Sequence, residues 1–368
     1  MQIEFYSFNY AGSEIRQEWM KKIYQKIEEN SFIGGSEIAK FERSWAEFTK
    51  SKNAIGVSNG MDGLVLSLRA LVIGPKSRVA IPSHTFIATW TSVIAVGAIP
   101  IGVDVDSDGL IDLEQFADVA STVDAVLPVH MHGSPVDMQA LSEICIAKSK
   151  NDHIKIIEDA SQAHGVLMKN GTTPGHYSDA VVYSLYPTKN LGALGDAGIV
   201  TTNHEDVADK LRILGSYGSR PQNKYEHVEL GFNNRLDSLQ AAVLSVNLER
   251  LHDWNAVRRK LSEIYIEKLS GNIRILQEFR SDSVRHHLCI LSENRGSLKE
   301  FLLTEGITTE IHYPKVAGKE ALRFLNQQGK FPKAESIANE TLSLPLSQWH
   351  STEQVSFVAD KILDWISR

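Results

Sequence analysis

Cysteine is scarce in this chain, in which only Cys145 and Cys289 carry a thiol among 368 residues. Two cysteines so far apart provide neither a disulfide framework nor a CxxC zinc site, and this usage favours a reducing compartment. The first residues lack the basic and apolar regions of a signal peptide. No run of about 20 apolar residues could cross a bilayer. We therefore expect a cytoplasmic protein without a membrane partner.

Positive charge is also in short supply, because 38 lysines and arginines face 45 acidic residues, for a net charge of −7 at pH 7. This balance gives no reason to expect a nucleic-acid partner. The motifs GxxxxGK[ST] and GxGxxG are absent, which disfavours P-loop and dinucleotide sites. The pairs His130/His132 and His286/His287 lack a carboxylate or cysteine at metal-ligand spacing, so we expect no metal site.

Short apolar runs that alternate with helical patterns dominate the first two thirds of the chain. Helical patterns such as Leu64–Leu71, Ala88–Val96 and Met138–Ala147 lie between several of the runs. Continuous apolar strands separated by helices predict an α/β fold with a mostly parallel, seven-stranded sheet. The strand candidates are Ala54–Val57, Arg78–Ile81, Ile99–Val103, Ala125–Val129, Ile154–Glu158, Ala180–Ser184 and Ile199–Thr202.

The length of the chain predicts two domains, because 368 residues exceed what one small core usually organises. We expect a large domain over residues 13–245 and a smaller α+β domain over 246–368, with residues 1–12 packing nearby. The pattern from Leu236 to Leu269 predicts a long helix with room for a kink. Beyond it we expect a strand, a helix, a second strand at Thr308–His312 and two further helices.

Two segments place reactive side chains after predicted strands. Asp159 follows the apolar run Ile154–Ile157, where a carboxylate can hold a buried cation or, more commonly, cap the next helix. Lys189 lies on a glycine-rich loop between two apolar strands. A loop lysine is usually solvated, but one that is partly withdrawn from water has a lowered pKa and can attack an aldehyde as a free amine.

Three other segments fit a phosphorylated, planar ligand less specifically. The run Ser58–Leu64 joins a strand end to a helix start, whose free N–H groups favour an anion such as phosphate. Phe86, at the end of the next strand, could stack on a planar ring or belong to the core. The segment Gly231–Asp237, before the long helix, could be a polar helix cap.

These segments, in this order, resemble the DegT/DnrJ/EryC1/StrS family of PLP-dependent nucleotide-sugar aminotransferases. The resemblance runs from Phe32–Gly35 to Leu342–Leu346, and its most specific parts are Glu158–Gly165, Ser184–Gly198 and Gly231–Ala241. It implies the type I PLP-aminotransferase fold, pyridoxal 5′-phosphate (PLP) as the cofactor, and a homodimer with shared active sites.

The resemblance also implies a role for individual residues. Lys189 matches the lysine that carries the cofactor as a Schiff base, and Asp159 matches the carboxylate that pairs with the pyridinium nitrogen. Gln162 matches the residue near the phenolic oxygen of the cofactor. Phe86 matches the aromatic side chain that stacks on the ring, and Ser184 matches a phosphate ligand.

The remaining cofactor positions surround the phosphate. Gly60, Met61 and Asp62 match the helix start whose backbone holds it, and Asn233 matches an asparagine that reaches it from the neighbouring subunit. The family commonly has Thr-Asp-Ala where this chain has Met61-Asp62-Gly63. Methionine has no hydroxyl group, so any contact of residue 61 with the phosphate must come from its backbone.

The reaction implied by the resemblance is transamination of a nucleotide-linked keto sugar with glutamate as the amino donor. We expect a dTDP-linked 3-keto-6-deoxyhexose first and a 4-keto sugar second, in the synthesis of an amino sugar for a metabolite or a surface glycan such as lipopolysaccharide O-antigen. Lysine at position 189 favours amination over dehydration, while a keto-inositol aminotransferase, a sugar dehydratase and a non-catalytic PLP-binding regulator remain alternatives. The candidate substrate contacts are Tyr217, Arg220, His286, His312 and Tyr313.

Overall fold

The structure is a computed structural model that describes residues 1–6, 11–149, 153–220 and 223–368. Its main sheet has the strand order β1-β7-β6-β5-β4-β2-β3, in which β7 runs antiparallel to both of its neighbours and all other pairs are parallel. The prediction of a mostly parallel, seven-stranded sheet is therefore confirmed. The strands are β1 (Asn53–Val57), β2 (Arg78–Pro82), β3 (Ile99–Val103), β4 (Ala125–Val126), β5 (Lys155–Asp159), β6 (Ala180–Ser184) and β7 (Gly198–Thr202).

Helices cover both faces of this sheet and also build much of the C-terminal part of the chain. In chain order they are α1 (Ser13–Glu28), α2 (Ser36–Thr49), α3 (Gly60–Ala70), α4 (Ile87–Ala95), α5 (Leu113–Val119), α6 (Met138–Lys148), α7 (Glu205–Gly215), α8 (Ser238–Leu248), α9 (Leu251–Leu269), α10 (Arg295–Thr304), α11 (Ala317–Phe324), α12 (Pro332–Glu340) and α13 (Thr352–Ile366).

Strand β6 shows why the strands read as continuous apolar runs. Ala180 and Val182 point into one core, shared with α3, α4 and α7, whereas Val181 and Tyr183 point into a second core, shared with α2 and α8. Successive side chains of a strand face opposite sides of the sheet, so burial on both faces requires an apolar residue at every position. This central strand delivers its last residue, Ser184, to the edge where the candidate site lies.

Strand β4 is shorter than the predicted run Ala125–Val129 and ends at Val126. Pro128 has no N–H group to donate to a neighbouring strand, so regular pairing stops there. The carbonyl of Pro128 still accepts the N–H of Asp159, and Val129 forms an isolated bridge with Asp159. The chain therefore stays beside the end of β5 without continuing the ladder.

The long helix predicted from Leu236 to Leu269 is two helices, α8 and α9, separated by a turn at Glu249 and Arg250. The turn allows the two segments to serve different cores. Helix α8 packs against α1 and α2 beside the main sheet, whereas α9 packs against α13.

The C-terminal unit consists of an antiparallel sheet of three short strands with α9, α10 and α13 around it. The predicted strand at Thr308–His312 is wrong, since only Glu310 bridges to Ser343 before the chain turns towards the site. Three helices, rather than two, follow that bridge. The additional strands of the structure are β8 (Ser219–Arg220), β9 (Asn223–His227), β10 (Arg274–Ile275), β11 (Leu288–Leu291) and β12 (Thr341–Leu344).

The N-terminal residues lie against this C-terminal unit. Ile3 is fully buried in its core and forms a parallel bridge with Ile307. Across the described ranges, no helix is both long enough and apolar enough to cross a membrane.

Candidate active site

A cavity of about 670 Å³ opens at the carboxyl ends of β5 and β6, between the main sheet and the C-terminal unit. Parallel strands deliver their last residues to the same edge of a sheet, where ligands of α/β proteins commonly bind. Asp159 and Ser184, the last residues of these two strands, both line the cavity, as does Lys189 on the loop that follows β6.

Asp159 ends β5 and holds its carboxylate against the cavity. The hydroxyl of Thr89, in α4, donates to one oxygen at 2.9 Å, and the N–H of Ser161 donates to the other at 3.1 Å. The residue is only 5% exposed, yet no cationic side chain in the described part of the chain forms an ion pair with it. The helix-cap alternative is wrong, because residues 160–179 form turns and no helix follows β5. A buried carboxylate that makes no ion-pair contact is a ready partner for a cationic ligand group.

Lys189 lies on a tightly closed loop between β6 and β7. Its N–H donates to the carbonyl of Tyr186 at 2.9 Å, and Ala193 donates back to Leu185. A side chain at Gly192 would place its Cβ 2.3 Å from the carbonyl oxygen of Pro187, so this close approach requires glycine. Burial lowers the pKa of Lys189 from 10.5 to about 8, although the nearby charge of Asp159 acts in the opposite direction.

This lowered pKa predicts how the amine reacts with an aldehyde in cofactor-free protein. Only the neutral amine is a nucleophile, so the rate at Lys189 should rise through pH 8 and level off above it. Trapping with borohydride between pH 6 and 10, followed by peptide mass spectrometry, measures this rate. Lys76, which is exposed and does not line the cavity, serves as the internal control. Identical pH profiles for the two lysines would contradict the prediction.

The start of helix α3 forms a cradle beside the end of β6. Asn59 caps the helix by accepting the N–H of Asp62 at 2.9 Å, which leaves the N–H groups of Gly60 and Met61 without an intrahelical acceptor. A Cβ at Gly60 would lie 2.8 Å from the Cβ of Ser184, so glycine allows helix and strand to approach. Backbone N–H groups, a helix dipole and a serine hydroxyl together suit a phosphate group.

Aromatic and amide side chains also line the cavity. Phe86 is 54% exposed, lines the cavity and lies 5.5 Å from the ring of Tyr313. Gln162 donates from Nε2 to the hydroxyl of Tyr313 at 3.1 Å and accepts the N–H of His132 at 2.6 Å. Burial raises the pKa of Tyr313 above its usual value, so its hydroxyl stays protonated. The side chain of Gln162 is thereby held in one orientation beside Asp159.

The N-terminal residues contribute a wall that the sequence did not reveal. The ring of Phe5 lies 5.9 Å from that of His287 and 5.7 Å from that of His312. The hydroxyl of Tyr6 donates to the carbonyl of Pro187, 181 positions away, at 2.8 Å. No local pattern signals partners at such a separation. Ser161 was also missed, although its place two residues after Asp159 could have indicated it.

Four of the predicted site residues contribute no side chain to this cavity. Tyr217, Arg220 and Asn233 are exposed and lie outside its wall. The carboxylate of Asp62 is engaged by its own helix cap, where it accepts a hydrogen bond from the Nδ2 of Asn59 at 2.8 Å. The roles of these four residues stay predictions.

Within the described ranges, no group of three or more His, Cys, Asp or Glu side chains is arranged to hold a metal ion.

Comparison with known proteins identifies relatives along the whole chain. The family model of the DegT/DnrJ/EryC1/StrS aminotransferase family matches residues 13–363. The chain is 36% identical over 378 residues to the dTDP-3-amino-3,4,6-trideoxy-alpha-D-glucose transaminase of Streptomyces venezuelae, an alignment that covers 100% of this chain and 97% of the relative.

Solved structures agree with the sequence comparison. That of S. venezuelae DesV in complex with a ketimine intermediate superposes with a TM-score of 0.94 at 36% identity and covers 100% of this chain and 99% of that one. NtdA from Bacillus subtilis, solved with bound cofactor PMP, gives a TM-score of 0.91 at 26% identity, with coverage of 100% and 86%. The chain therefore belongs to the DegT/DnrJ/EryC1/StrS aminotransferase family and has the type I PLP-aminotransferase fold.

Proposed function

We propose that the protein is a PLP-dependent sugar aminotransferase that moves the amino group of glutamate onto a nucleotide-linked keto sugar. The observation that carries this proposal is the pairing of two groups in one cavity. Lys189 offers an amine whose pKa is lowered to about 8, and Asp159 offers a buried carboxylate that forms no ion pair with the described residues. One group suits an aldehyde and the other suits a protonated ring nitrogen.

The residues around the cavity fit the cofactor in its other parts as well. The uncommitted N–H groups of Gly60 and Met61, together with the hydroxyl of Ser184, would hold the phosphate. Phe86 would cover the ring, and Gln162 would contact the phenolic oxygen. When bound, PLP supplies an electron sink for the carbon atom that loses its proton.

The catalytic work of this chain would fall to two side chains. Lys189 would hold the cofactor covalently. Once the incoming amine has displaced it, its free amine would move a proton between the substrate carbon and the C4′ carbon of the cofactor in each half-reaction. Asp159, oriented by Thr89 and Ser161, would keep the ring nitrogen protonated. Burial of both groups strengthens their electrostatic effect, because few water molecules screen them.

A dTDP-linked 3-keto-6-deoxyhexose is our first candidate for the sugar, and a 4-keto sugar is the second. The relative from S. venezuelae supports this order, since its name specifies a dTDP sugar with the amino group at carbon 3. The cavity volume falls within the usual range for small-molecule sites. His286, His312 and Tyr313 line the cavity, so we keep them as candidate substrate contacts.

We further propose a cytoplasmic homodimer that makes an amino sugar for a metabolite or a surface glycan such as O-antigen. Tyr217, Arg220 and Asn233 are exposed and do not line the cavity of their own chain, which supports a role for them in the site of a second copy. We also keep the proposed domains, 13–245 and 246–368.

Product analysis tests the proposed reaction. Purified protein is incubated with PLP, glutamate and either the 3-keto or the 4-keto dTDP sugar, and products are identified by mass spectrometry and NMR. We expect an amine at carbon 3 and parallel lines in double-reciprocal plots, which indicate a ping-pong mechanism. Omission of glutamate is the control and should leave the sugar unchanged. A clear preference for the 4-keto sugar would reverse our order of substrates, and loss of water without amination would indicate a dehydratase.

A further inference from the structure

His286 lies in the cavity wall and is linked to the residue next to Lys189. Its Nδ1 lies 2.9 Å from the side-chain oxygen of Asn190. The Nδ2 of Asn190 donates to the carbonyl of Val284 at 3.1 Å and to the side-chain oxygen of Asn255 at 2.8 Å. A backbone carbonyl can only accept, so the amide of Asn190 has one orientation and turns its oxygen to His286.

The side-chain amide of Asn255 has a fixed orientation for the same reason. Asn255 donates from Nδ2 to the carbonyl of His164 at 2.8 Å, which leaves its oxygen for Asn190. The two backbone carbonyls therefore determine the direction of every hydrogen bond in the series. Because the oxygen of Asn190 can only accept, Nδ1 of His286 must carry a hydrogen atom.

The imidazole of His286 is neutral in this environment. Burial lowers its pKa well below 6.5, and the positive charges of Lys189 and Arg258 lower it further. A neutral ring with its hydrogen on Nδ1 has a lone pair on Nε2. Nε2 makes no hydrogen bond to any described residue. It is also not fully buried, unlike the unpartnered polar atoms in the protein interior. His286 lines the cavity, so this lone pair is available to a ligand there.

We propose that Nε2 of His286 accepts a hydrogen bond from a hydroxyl group of the sugar and thereby selects substrates that carry this hydroxyl. Asn190 is the positioning residue that fixes the ring in the accepting form. The inference rests on the proposed function and assigns one substrate contact within it. A fixed, neutral acceptor suits a sugar hydroxyl, whereas the carboxylates of glutamate need donors or cations.

The proposed selection is tested with the wild-type protein and the His286→Phe variant. Each is assayed with a dTDP-keto sugar and with the same sugar lacking one hydroxyl group. The wild-type protein should show a kcat/KM about 10–100-fold lower for one dTDP-keto sugar that lacks a single hydroxyl, because the buried acceptor then stays unpaired. In His286→Phe, kcat/KM for the full sugar should fall by a similar factor, and the discrimination should shrink to within about threefold. If His286→Phe discriminated between the two sugars as strongly as the wild type does, the proposal would be overturned.

Two further readouts separate a lost contact from a damaged protein. The half-reaction with glutamate, followed by the absorbance of the cofactor, should change less than about threefold in His286→Phe. An equal loss in both half-reactions would show that His286 serves the shared chemistry, which overturns the proposed selection. Histidine ¹⁵N NMR should show the Nδ1–H form of His286 in the wild type and its loss in Asn190→Ala. A wild-type protein that aminates no keto sugar would refute the proposed function itself, an outcome distinct from intact discrimination.

Discussion

Lys189→Ala should abolish covalent attachment of PLP and lower the rate of transamination by at least about 10⁴-fold. Lys189 provides both the amine that binds the aldehyde and the base that moves the proton, so one substitution removes both functions. The phosphate cradle at Gly60, Met61 and Ser184 is untouched, and the variant should therefore still bind PLP reversibly. Borohydride reduction followed by peptide mass spectrometry gives a readout that does not depend on turnover.

Lys26→Ala is a matched control for this experiment. Lys26 is also a buried lysine, but its Nζ lies 2.6 Å from Glu29 and 3.3 Å from Glu37, away from the cavity. We expect this variant to lose some stability and to keep both the covalent label and the activity. If borohydride reduction still attached PLP covalently to the active site of Lys189→Ala, the assignment of Lys189 as the Schiff-base lysine would be wrong.

Asp159→Asn should lower kcat by about 10²–10³-fold with little change in fold, which is the typical loss when one preorganised electrostatic partner is removed. The side-chain oxygen of asparagine can still accept a hydrogen bond from the N–H of Ser161, so the turn after β5 should persist. The neutral amide cannot hold a positive charge on the ring nitrogen. A pH titration of the absorbance of bound PLP should show this nitrogen losing its proton at lower pH than in the wild type.

Asp179→Asn is the matched control at the opposite end of the same sheet. Asp179 precedes β6, is 6% exposed, and accepts the N–H of Ile156 at 2.8 Å. Its replacement should change stability by a comparable amount and leave kcat within about threefold of the wild type. Equal losses of activity in the two variants would show that damage to the sheet, rather than the charge at residue 159, causes the effect.

The sequence predicted the sheet and several residues that line the cavity, because both follow from local patterns. Asp159, Ser184 and Phe86 each end or follow an apolar strand, and the ends of parallel strands meet at one edge. The early end of β4 was also predictable, since Pro128 cannot donate to a strand pair. The turn between α8 and α9 was not, because it depends on which core each helix joins.

Support for the site comes from contacts that no local pattern contains. Thr89 orients Asp159 from 70 positions away, and His286 meets Asn190 across 96 positions. Thr89 and Asp159 become neighbours when α4 packs on the main sheet, whereas His286 and Asn190 meet only when the C-terminal unit covers the edge of the sheet. Sequence patterns therefore indicated the candidate reactive groups, and the structure adds the hydrogen bonds that hold them.

The N-terminal residues connect the two sides of the cavity mechanically. Ile3 is paired with Ile307 in the C-terminal unit, and three residues later Tyr6 is bonded to Pro187 on the loop of Lys189. Two anchors so close along the chain act as a short tether with almost no slack. If the C-terminal unit rocked away from the sheet, the tether would either pull on the lysine loop or break one hydrogen bond, at a cost of about 1 kcal/mol. The tether therefore favours a closed cavity, because opening costs this hydrogen bond unless the lysine loop moves with the C-terminal unit.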